Sequence, residues 1–406
     1  MSSRKIRLLT FSSLYPSSVR PGHGIFVETR LRELLSSGEV EVRVVAPVPW
    51  FFSTDPRYGD YARLASTPRR ETYNGIDVLH PRYLLPPKVG MTLAPLSMAW
   101  GAASALRQLI AEGYEFDAID AHYYYPDGVA AALLARHFNR PFTVTARGTD
   151  LNLIPQYTLP RWMMQWAASR AAASVGVCSA LVDILRAWKI PQDRLHVIRN
   201  GVDLARFRPL VQDTARAELG LTDSPLLISV GNLVEHKGHD IAIDALCKLL
   251  PRHRHARLVI VGDGEERDRL QSLCQRLHVA DRVTFTGSVP NVELFRWYSA
   301  ADVLILASSR EGWANVLLES MACGTPVVAC RICGTPEVVT EDVAGRLVDR
   351  RDGAAFAQAI GTLLASYPER AKVRSYAEKF SWQSTTDAQL ALFQKIAVQS
   401  KEAMHA

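Results

Sequence analysis

The 406-residue chain is poor in cysteine, has no long apolar run and lacks a complete dinucleotide glycine fingerprint. Its six cysteines, at 178, 247, 274, 323, 330 and 333, are scattered. That pattern suits reduced thiols and excludes a disulfide framework. Cys330-x-x-Cys333 has neither a second such pair nor a well-spaced histidine pair, so buried structural thiols explain it and no metal is expected. No uninterrupted apolar run reaches about 18 residues, so no spanning helix is expected. The start, Met1-Ser-Ser-Arg-Lys-Ile-Arg, is basic, but the apolar run behind it is too short for a signal peptide and reads as a first buried strand. Residence in the cytoplasm follows as an expectation.

Acidic residues are short in the first half. Residues 1–200 carry 23 Lys and Arg against 16 Asp and Glu, and the remainder 24 against 25. A basic first half suits an anionic partner: phosphates, an anionic lipid-linked molecule or the inner face of an anionic membrane, touched peripherally. The alternative is a solubilising surface. No nucleic-acid motif accompanies the charge, so nucleic acid is not an expected partner.

Short apolar runs alternate with helix-period stretches. The first half predicts strands at Ile6–Ser12, Val40–Val48, Ala118–His122, Phe142–Ala146, Ser174–Cys178 and His196–Asn200. The second predicts them at Leu226–Gly231, Arg257–Gly262, Arg282–Gly287, Val303–Ala307, Pro326–Ala329 and Arg346–Val348. Near-continuous Val, Ile, Leu and Ala runs are those of strands buried on both faces of a parallel sheet. Helical patterns between them imply doubly wound α/β architecture, twice over. The expected division is 1–203, 204–380 and a tail, 381–406, carrying a helix over Ser384–Gln399. Tyr83–Ile110 resists the pattern: it reads as a buried helix, with an apolar acceptor-facing surface as the alternative.

The densest constellation is Ser308-Ser-Arg-Glu311-Gly312-Trp313-Ala314-Asn315, continuing to Glu319. It follows a predicted strand and opens a helix. Eight residues at helical rise span up to about 12 Å, too far for two carboxylates to share a proton. That spacing suits two acids gripping hydroxyls at either end of one polyhydroxylated ligand, with the helix tip offering N–H groups to phosphate. Val230-Gly231-Asn232 through Lys237-Gly238 again lies between strand and helix, and Lys237 is a point-charge partner for a diphosphate. Gly22-His23-Gly24 is either a phosphate-approaching loop or a plain turn. Arg147 and Asp150 follow the strand Phe142–Ala146, where open α/β sheets bind ligands. Arg147 suits a phosphate clamp, or a local ion pair with Asp150. His122 ends the preceding strand and faces the same ligand or is a satisfied structural histidine.

Together these strings resemble the retaining glycosyltransferases of family four, which have the GT-B fold. The resemblance spans nearly the whole chain and rests on Glu311-x7-Glu319 with Ser-Met-Ala-Cys-Gly-Thr-Pro behind it, Asn200-Gly-Val-Asp-x3-Phe-x-Pro209, Gly231-x5-Lys237-Gly238, Val259-x-Val-Gly262-Asp-Gly264 and the glycine loop at 22–24. It implies two Rossmann-like domains facing a cleft, the first for the acceptor and the second for a nucleotide-diphosphate sugar, with the last helix crossing back to the first. By the same resemblance Lys237 holds the diphosphate, Glu311 the sugar hydroxyls and Glu319 the ribose. Gly312, Trp313, Ala314 and Asn315 present backbone amides, Gly22 and Gly24 line the donor, and the Gly287–Asn291 loop lies near the base. His122 and Asp150 are acceptor-side candidates.

Two departures from the family pattern stand out. Asn232 occupies a position where many relatives have Arg, and Arg147 one where many have His. An arginine is no general base, because it stays protonated. It supplies charge to a departing diphosphate instead, so cationic support is expected to have moved from position 232 to Arg147. The implied reaction transfers a hexose-type sugar from a UDP- or GDP-linked donor to a glycan or lipid-linked acceptor with retention, in bacterial surface polysaccharide or glycolipid synthesis. It uses no cofactor and no metal. Rival readings are a catalytically silent sugar-nucleotide-binding subunit and an NAD-dependent dehydrogenase. The missing Gly-x-Gly-x-x-Gly opposes the latter.

Overall fold

The computed structural model describes residues 4–85, 90–221 and 224–405, with side chains to residue 399. It divides into two compact units. One runs to Arg199 and resumes at Thr385; the other is Asn200–Ser384.

The first unit contains β1 (Ile6–Phe11), α1 (Ile25–Ser36), β2 (Val40–Val45), β3 (Val48–Pro49), α2 (Asp60–Ala65), β4 (Arg70–Tyr73), β5 (Ile76–Leu79), β6 (Arg82–Tyr83), α3 (Gly90–Ala111), β7 (Ala118–His122), α4 (Val129–Phe138), β8 (Phe142–Ala146), α5 (Thr149–Asn152), α6 (Thr158–Ala168), β9 (Ala173–Gly176), α7 (Ser179–Ala187) and β10 (Leu195–Val197). Its eight-stranded sheet has the order β10-β9-β8-β7-β1-β2-β5-β4. Every pairing is parallel except β4 with β5, an edge hairpin. The central strands β7 and β8 are buried at every residue, although Asp120, His122, Thr143 and Thr145 interrupt their apolar runs. β2 ends at Val45, short of the expected Val48, because the chain leaves the sheet there and pairs Val48 with Arg82 in a two-stranded ribbon.

The second unit contains α8 (Gln212–Glu218), β11 (Leu226–Val230), α9 (His239–Leu249), β12 (Arg257–Val261), α10 (Arg267–Arg276), β13 (Val283–Gly287), α11 (Leu294–Ala300), β14 (Val303–Leu306), α12 (Asn315–Ala322), β15 (Val327–Cys330), α13 (Thr335–Val338), β16 (Gly345–Val348), α14 (Gly353–Ala365) and α15 (Arg370–Glu378). Its six strands are all parallel, in the order β13-β12-β11-β14-β15-β16. The order runs outward both ways from the β11–β14 pair, and that reversal opens a crevice at the carboxyl ends of those two strands. In the first unit the same reversal lies between β1 and β7.

The last helix, α16 (Trp382–His405), is longer than the expected Ser384–Gln399. Its Leu392, Phe393 and Ile396 are buried in the first unit's core with Val40, Val175 and Ile198. Each such burial contributes about 1.5–3 kcal/mol. Thr385 adds a hydroxyl donated to the Arg199 carbonyl at 2.8 Å.

The stretch that resisted the alternating pattern forms α3, apart from residues 86–89, which lie outside the described residues. One side is buried at Ala94, Met98, Ala102 and Leu109, as the helix reading expected. The other side is exposed at Leu93, Leu96 and Trp100.

Candidate active site

In the second unit two loops meet at the β11–β14 reversal. The first leaves β11 at Gly231 and returns through a single turn, Glu235–Lys237, to start α9. Gly238 makes that return in the left-handed region (φ 71°). A Cβ there would lie 2.2 Å from the Ala307 carbonyl oxygen, so only glycine lets α9 start against the end of β14. His239 holds the loop from inside: its ring nitrogens meet the Ser229 hydroxyl at 2.9 Å and the Asn232 carbonyl at 3.2 Å. Burial pulls its pKa down to about 4, so it is neutral near pH 7.

The second loop leaves β14 and carries Ser308 to Glu311. The Ser309 N–H donates to the His236 carbonyl at 2.8 Å, stitching the loops together. Lys237 Nζ then stands 2.7 Å from Glu311 Oε1, and the Ser308 hydroxyl donates to that same oxygen at 2.7 Å. Two residues expected to grip different parts of one ligand are thus bonded to each other. Arg310 and Arg351 add positive field, visible at His236: burial first, then Lys237 and Arg310, lower its pKa. The Arg310 Nε is buried with no hydrogen-bond partner. Arg351 donates from Nε to the Ala307 carbonyl at 2.7 Å.

Gly312, Trp313 and Ala314 are buried at the start of α12. The Asn315 side chain meets that of Asn200 at 3.3 Å. Glu319, a full turn on, accepts from the Tyr298 hydroxyl at 2.8 Å. Burial pushes its carboxyl up to about 7, against the opposing pull of Tyr298 and then Arg206. Arg206 also donates to the Asn291 side chain at 2.9 Å, tying the Asn200–Pro209 string to the Gly287–Asn291 loop. The Asn232 backbone serves its own loop, while its side chain is exposed.

The first unit builds a separate network at the carboxyl ends of β7 and β8. Thr143 donates to Asp120 at 2.9 Å, His122 Nε2 lies 3.1 Å from Asp120, and an Arg147 terminal nitrogen lies 2.7 Å from His122 Nδ1. Arginine only donates, so Nδ1 accepts and the His122 proton sits on Nε2, toward Asp120. Burial lowers the His122 pKa to about 4, outweighing the raising effect of Asp120. His122 is therefore neutral, with both ring nitrogens bonded, and it aims Arg147. The Arg147 guanidinium also covers the Phe26 ring, 5.4 Å from its centroid.

Asp150 is fully buried and accepts the backbone N–H groups of Tyr124, Arg147 and Gly148 at 2.8–3.2 Å. Its carboxylate staples the two strand-end loops through these backbone groups and also feels the Arg147 charge. Gly24 (φ 70°) is fixed by packing: a Cβ would stand 2.3 Å from the Leu14 carbonyl. Gly22 has open space at that position. His23 between them bonds Arg20 at 3.0 Å and the Ser13 carbonyl at 3.2 Å.

Sequence reasoning gave no role to Arg310, Ser308, His239, Tyr298, Arg206 and Asp120, although Ser308, Arg310 and Arg206 lie inside its motif strings. Arg310 and His239 each abut a chosen residue, and that adjacency was the available signal. Tyr298, Arg206 and Asp120 reach their partners only through tertiary contact.

Residues 211–380 match the model of glycosyl transferases group 1, and residues 22–206 that of glycosyltransferase family 4. The chain belongs to this glycosyltransferase family. As a glycosyltransferase it is 30% identical over 368 residues to a putative teichuronic acid biosynthesis glycosyltransferase of Bacillus subtilis, covering 87% of this chain and 88% of that protein. It is 34% identical over 306 residues to a D-inositol 3-phosphate glycosyltransferase of Xylanimonas cellulosilytica, covering 70% and 72%. Its fold matches sucrose-phosphate synthase of Thermosynechococcus elongatus with a TM-score of 0.71 at 23% identity, over 99% of this chain and 98% of that one. A UDP-glucose complex of Anabaena HepE matches with 0.70 at 20% identity, over 98% and 100%. The glycosyltransferase is of the GT-B type, with a parallel sheet in each unit.

Proposed function

We propose that this glycosyltransferase moves a hexose-type sugar from a UDP- or GDP-linked donor to a glycan or lipid-linked acceptor, with retention of anomeric configuration, in bacterial surface polysaccharide or glycolipid synthesis. The observation that carries the reading is the Lys237–Glu311 pair, 2.7 Å apart across the β11–β14 reversal, where open α/β sheets take their ligands. A lysine bonded to one carboxylate oxygen keeps further N–H donors for phosphate. The B. subtilis relative, named for teichuronic acid biosynthesis, supports a surface glycan as product.

In this reading Lys237 and Arg310 hold the diphosphate, with the backbone at Gly312–Asn315 and the tip of α12 adding N–H groups. Glu311 binds the sugar and Glu319 the ribose, while the Gly287–Asn291 loop lies by the base. Arg310 adds to the cationic support that the sequence reading moves from position 232 to Arg147. Arg147, aimed by His122, offsets charge that develops on the departing diphosphate. The acceptor hydroxyl attacks from the face the diphosphate leaves, and its proton goes to the departing phosphate oxygen. The leaving-group charge falls on these cations in this proposal, which includes neither metal nor cofactor. Thermal-shift titration with UDP-, GDP- and ADP-sugars tests the donor, and the proton coupling at the anomeric carbon of the isolated product tests retention. Donor-dependent stabilisation and an unchanged anomer are expected. An inverted product or a failure of every nucleotide sugar to bind contradicts it.

A further inference from the structure

Helix α3 presents an outward stripe that nothing in the active-site account uses. Leu93, Leu96 and Trp100 follow one another at helical spacing and are 44%, 50% and 79% exposed, and Arg107 lies two turns further along the same line. Residues 90–106 contain no charged side chain, and residues 84–111 hold two cations and no acid. The stripe continues off the helix. Ser97 donates to the Leu84 carbonyl at 2.7 Å, placing the exposed Leu84 and Leu85 beside it. The Trp50 N–H donates to the Tyr83 carbonyl at 2.7 Å, bringing in a second half-exposed tryptophan.

The helix is fixed to the body of the unit beneath this surface. A Cβ at Gly101 would stand 2.2 Å from the Arg82 carbonyl, so α3 lies directly on β6, and the Tyr125 hydroxyl donates to the Met91 carbonyl. Single exposed apolar residues are ordinary, but a contiguous set without an acid is not. Tryptophan favours the boundary between headgroup and acyl chain, and basic residues favour an anionic leaflet. No described helix is long and apolar enough to cross a membrane, so the stripe suits lying in the interface plane.

We propose that the first unit docks peripherally on an anionic membrane by laying the Leu93–Leu96–Trp100 face of α3, with Leu84, Leu85 and Trp50, into the headgroup region. The excess of seven positive charges in residues 1–200 draws the unit to the leaflet, and the apolar stripe retains it. The docking gives the lipid-linked acceptor of the proposed function its meeting place and rests on that reading for its purpose.

Flotation of the full chain with phosphatidylcholine vesicles, and with vesicles holding about a third phosphatidylglycerol, tests it. The wild type is expected to float with the anionic vesicles and to keep part of that binding when salt of about 0.5 M screens the charges. Leu96→Glu with Trp100→Glu is expected to lower vesicle affinity about tenfold or more, and Trp100→Ala to lower it less. Both positions are exposed, so unfolding temperature and binding of nucleotide sugar in solution are expected to stay at wild-type level. Equal flotation of the double variant overturns the docking, as does a wild type that ignores vesicles and instead sediments as a dimer through this face. Failure of nucleotide-sugar binding in solution strikes the proposed function and leaves the flotation result standing.

Discussion

Lys237 and Glu311 are 74 residues apart in sequence, and their charged groups meet at 2.7 Å because β11 and β14 are neighbours in the sheet. The Ser308 hydroxyl shares the same Glu311 oxygen. Removing either partner leaves a half-buried charge without its mate and, in the proposed function, a diphosphate without its nearest cation. Lys237→Ala is expected to lower kcat/KM by about a hundredfold, equivalent to about 2.7 kcal/mol of transition-state stabilisation. Glu311→Gln, which keeps an acceptor for Lys237, is expected to lose less. Steady-state kinetics with the donor varied check both.

Glu319 brings a pH dependence. Its folded pKa of about 7 lies above the ordinary 4.5, so the unfolded chain releases this proton first. Native stability therefore pays a penalty that grows as pH rises through that window and is complete above about 7. Glu319→Gln removes the ionisation, and its stability relative to wild type is expected to gain about 2 kcal/mol between pH 5 and pH 8. Asp127, which burial also raises to about 7, titrates in both proteins and cancels in the difference. In the proposed function the ionised carboxylate holds the ribose. Donor KM is then expected to rise as pH falls below about 7 in the wild type and to stay flat in the variant. Urea unfolding and donor kinetics at several pH values check the two halves.

The Asp120–His122–Arg147 chain makes a tautomer prediction. Asp120→Asn can donate to Nε2, which drives the His122 proton to Nδ1, against the Arg147 N–H. A stability loss of about 2–3 kcal/mol is expected, because one buried donor is left facing another. Turnover is expected to fall at least about tenfold while donor KM stays near wild type. Nitrogen shifts of the His122 ring, with unfolding and turnover measurements, check it.

Two neighbouring glycines are expected to differ. Gly24→Ala puts a Cβ 2.3 Å from the Leu14 carbonyl in a left-handed backbone, and a loss of about 2–4 kcal/mol is expected. Gly22→Ala meets nothing within 4 Å and is expected to leave the unfolding midpoint within about 0.5 kcal/mol of wild type. Paired denaturant melts check the contrast, and donor affinity of Gly22→Ala separately tests its proposed place at the donor.

The sheets were legible in the sequence because their strands are buried on both faces, so that Leu226–Val230 and Val303–Leu306 show as plain apolar runs. The β4–β5 hairpin was not, because Arg70, Glu71 and Asp77 break up its pattern at the sheet edge, where Arg70 pairs with Asp77 at 2.6 Å. Lys237, Glu311 and Glu319 stood out through residue type and spacing, and so did the two loops and the helix that bear them. Their partners did not. The Tyr298–Glu319 bond depends on packing between α11 and α12, the Arg206–Asn291 bond on where the chain enters the second unit, and the His122 tautomer on Asp120 two residues earlier in the same strand. No local pattern encodes which strands become neighbours, and Asp150 shows the consequence: from sequence it reads as a partner of Arg147 or an acceptor-side residue, while in the fold its oxygens also accept three backbone N–H groups.

Glycosyl transfer by the triple variant Lys237→Ala, Glu311→Ala, Glu319→Ala, compared with wild type at saturating acceptor over the panel of UDP- and GDP-sugars, tests the central claim most directly. Loss of both nucleotide-sugar binding and product, with the unfolding transition still cooperative, is the predicted result. Wild-type transfer by the variant would contradict the assignment of the donor to the β11–β14 crevice.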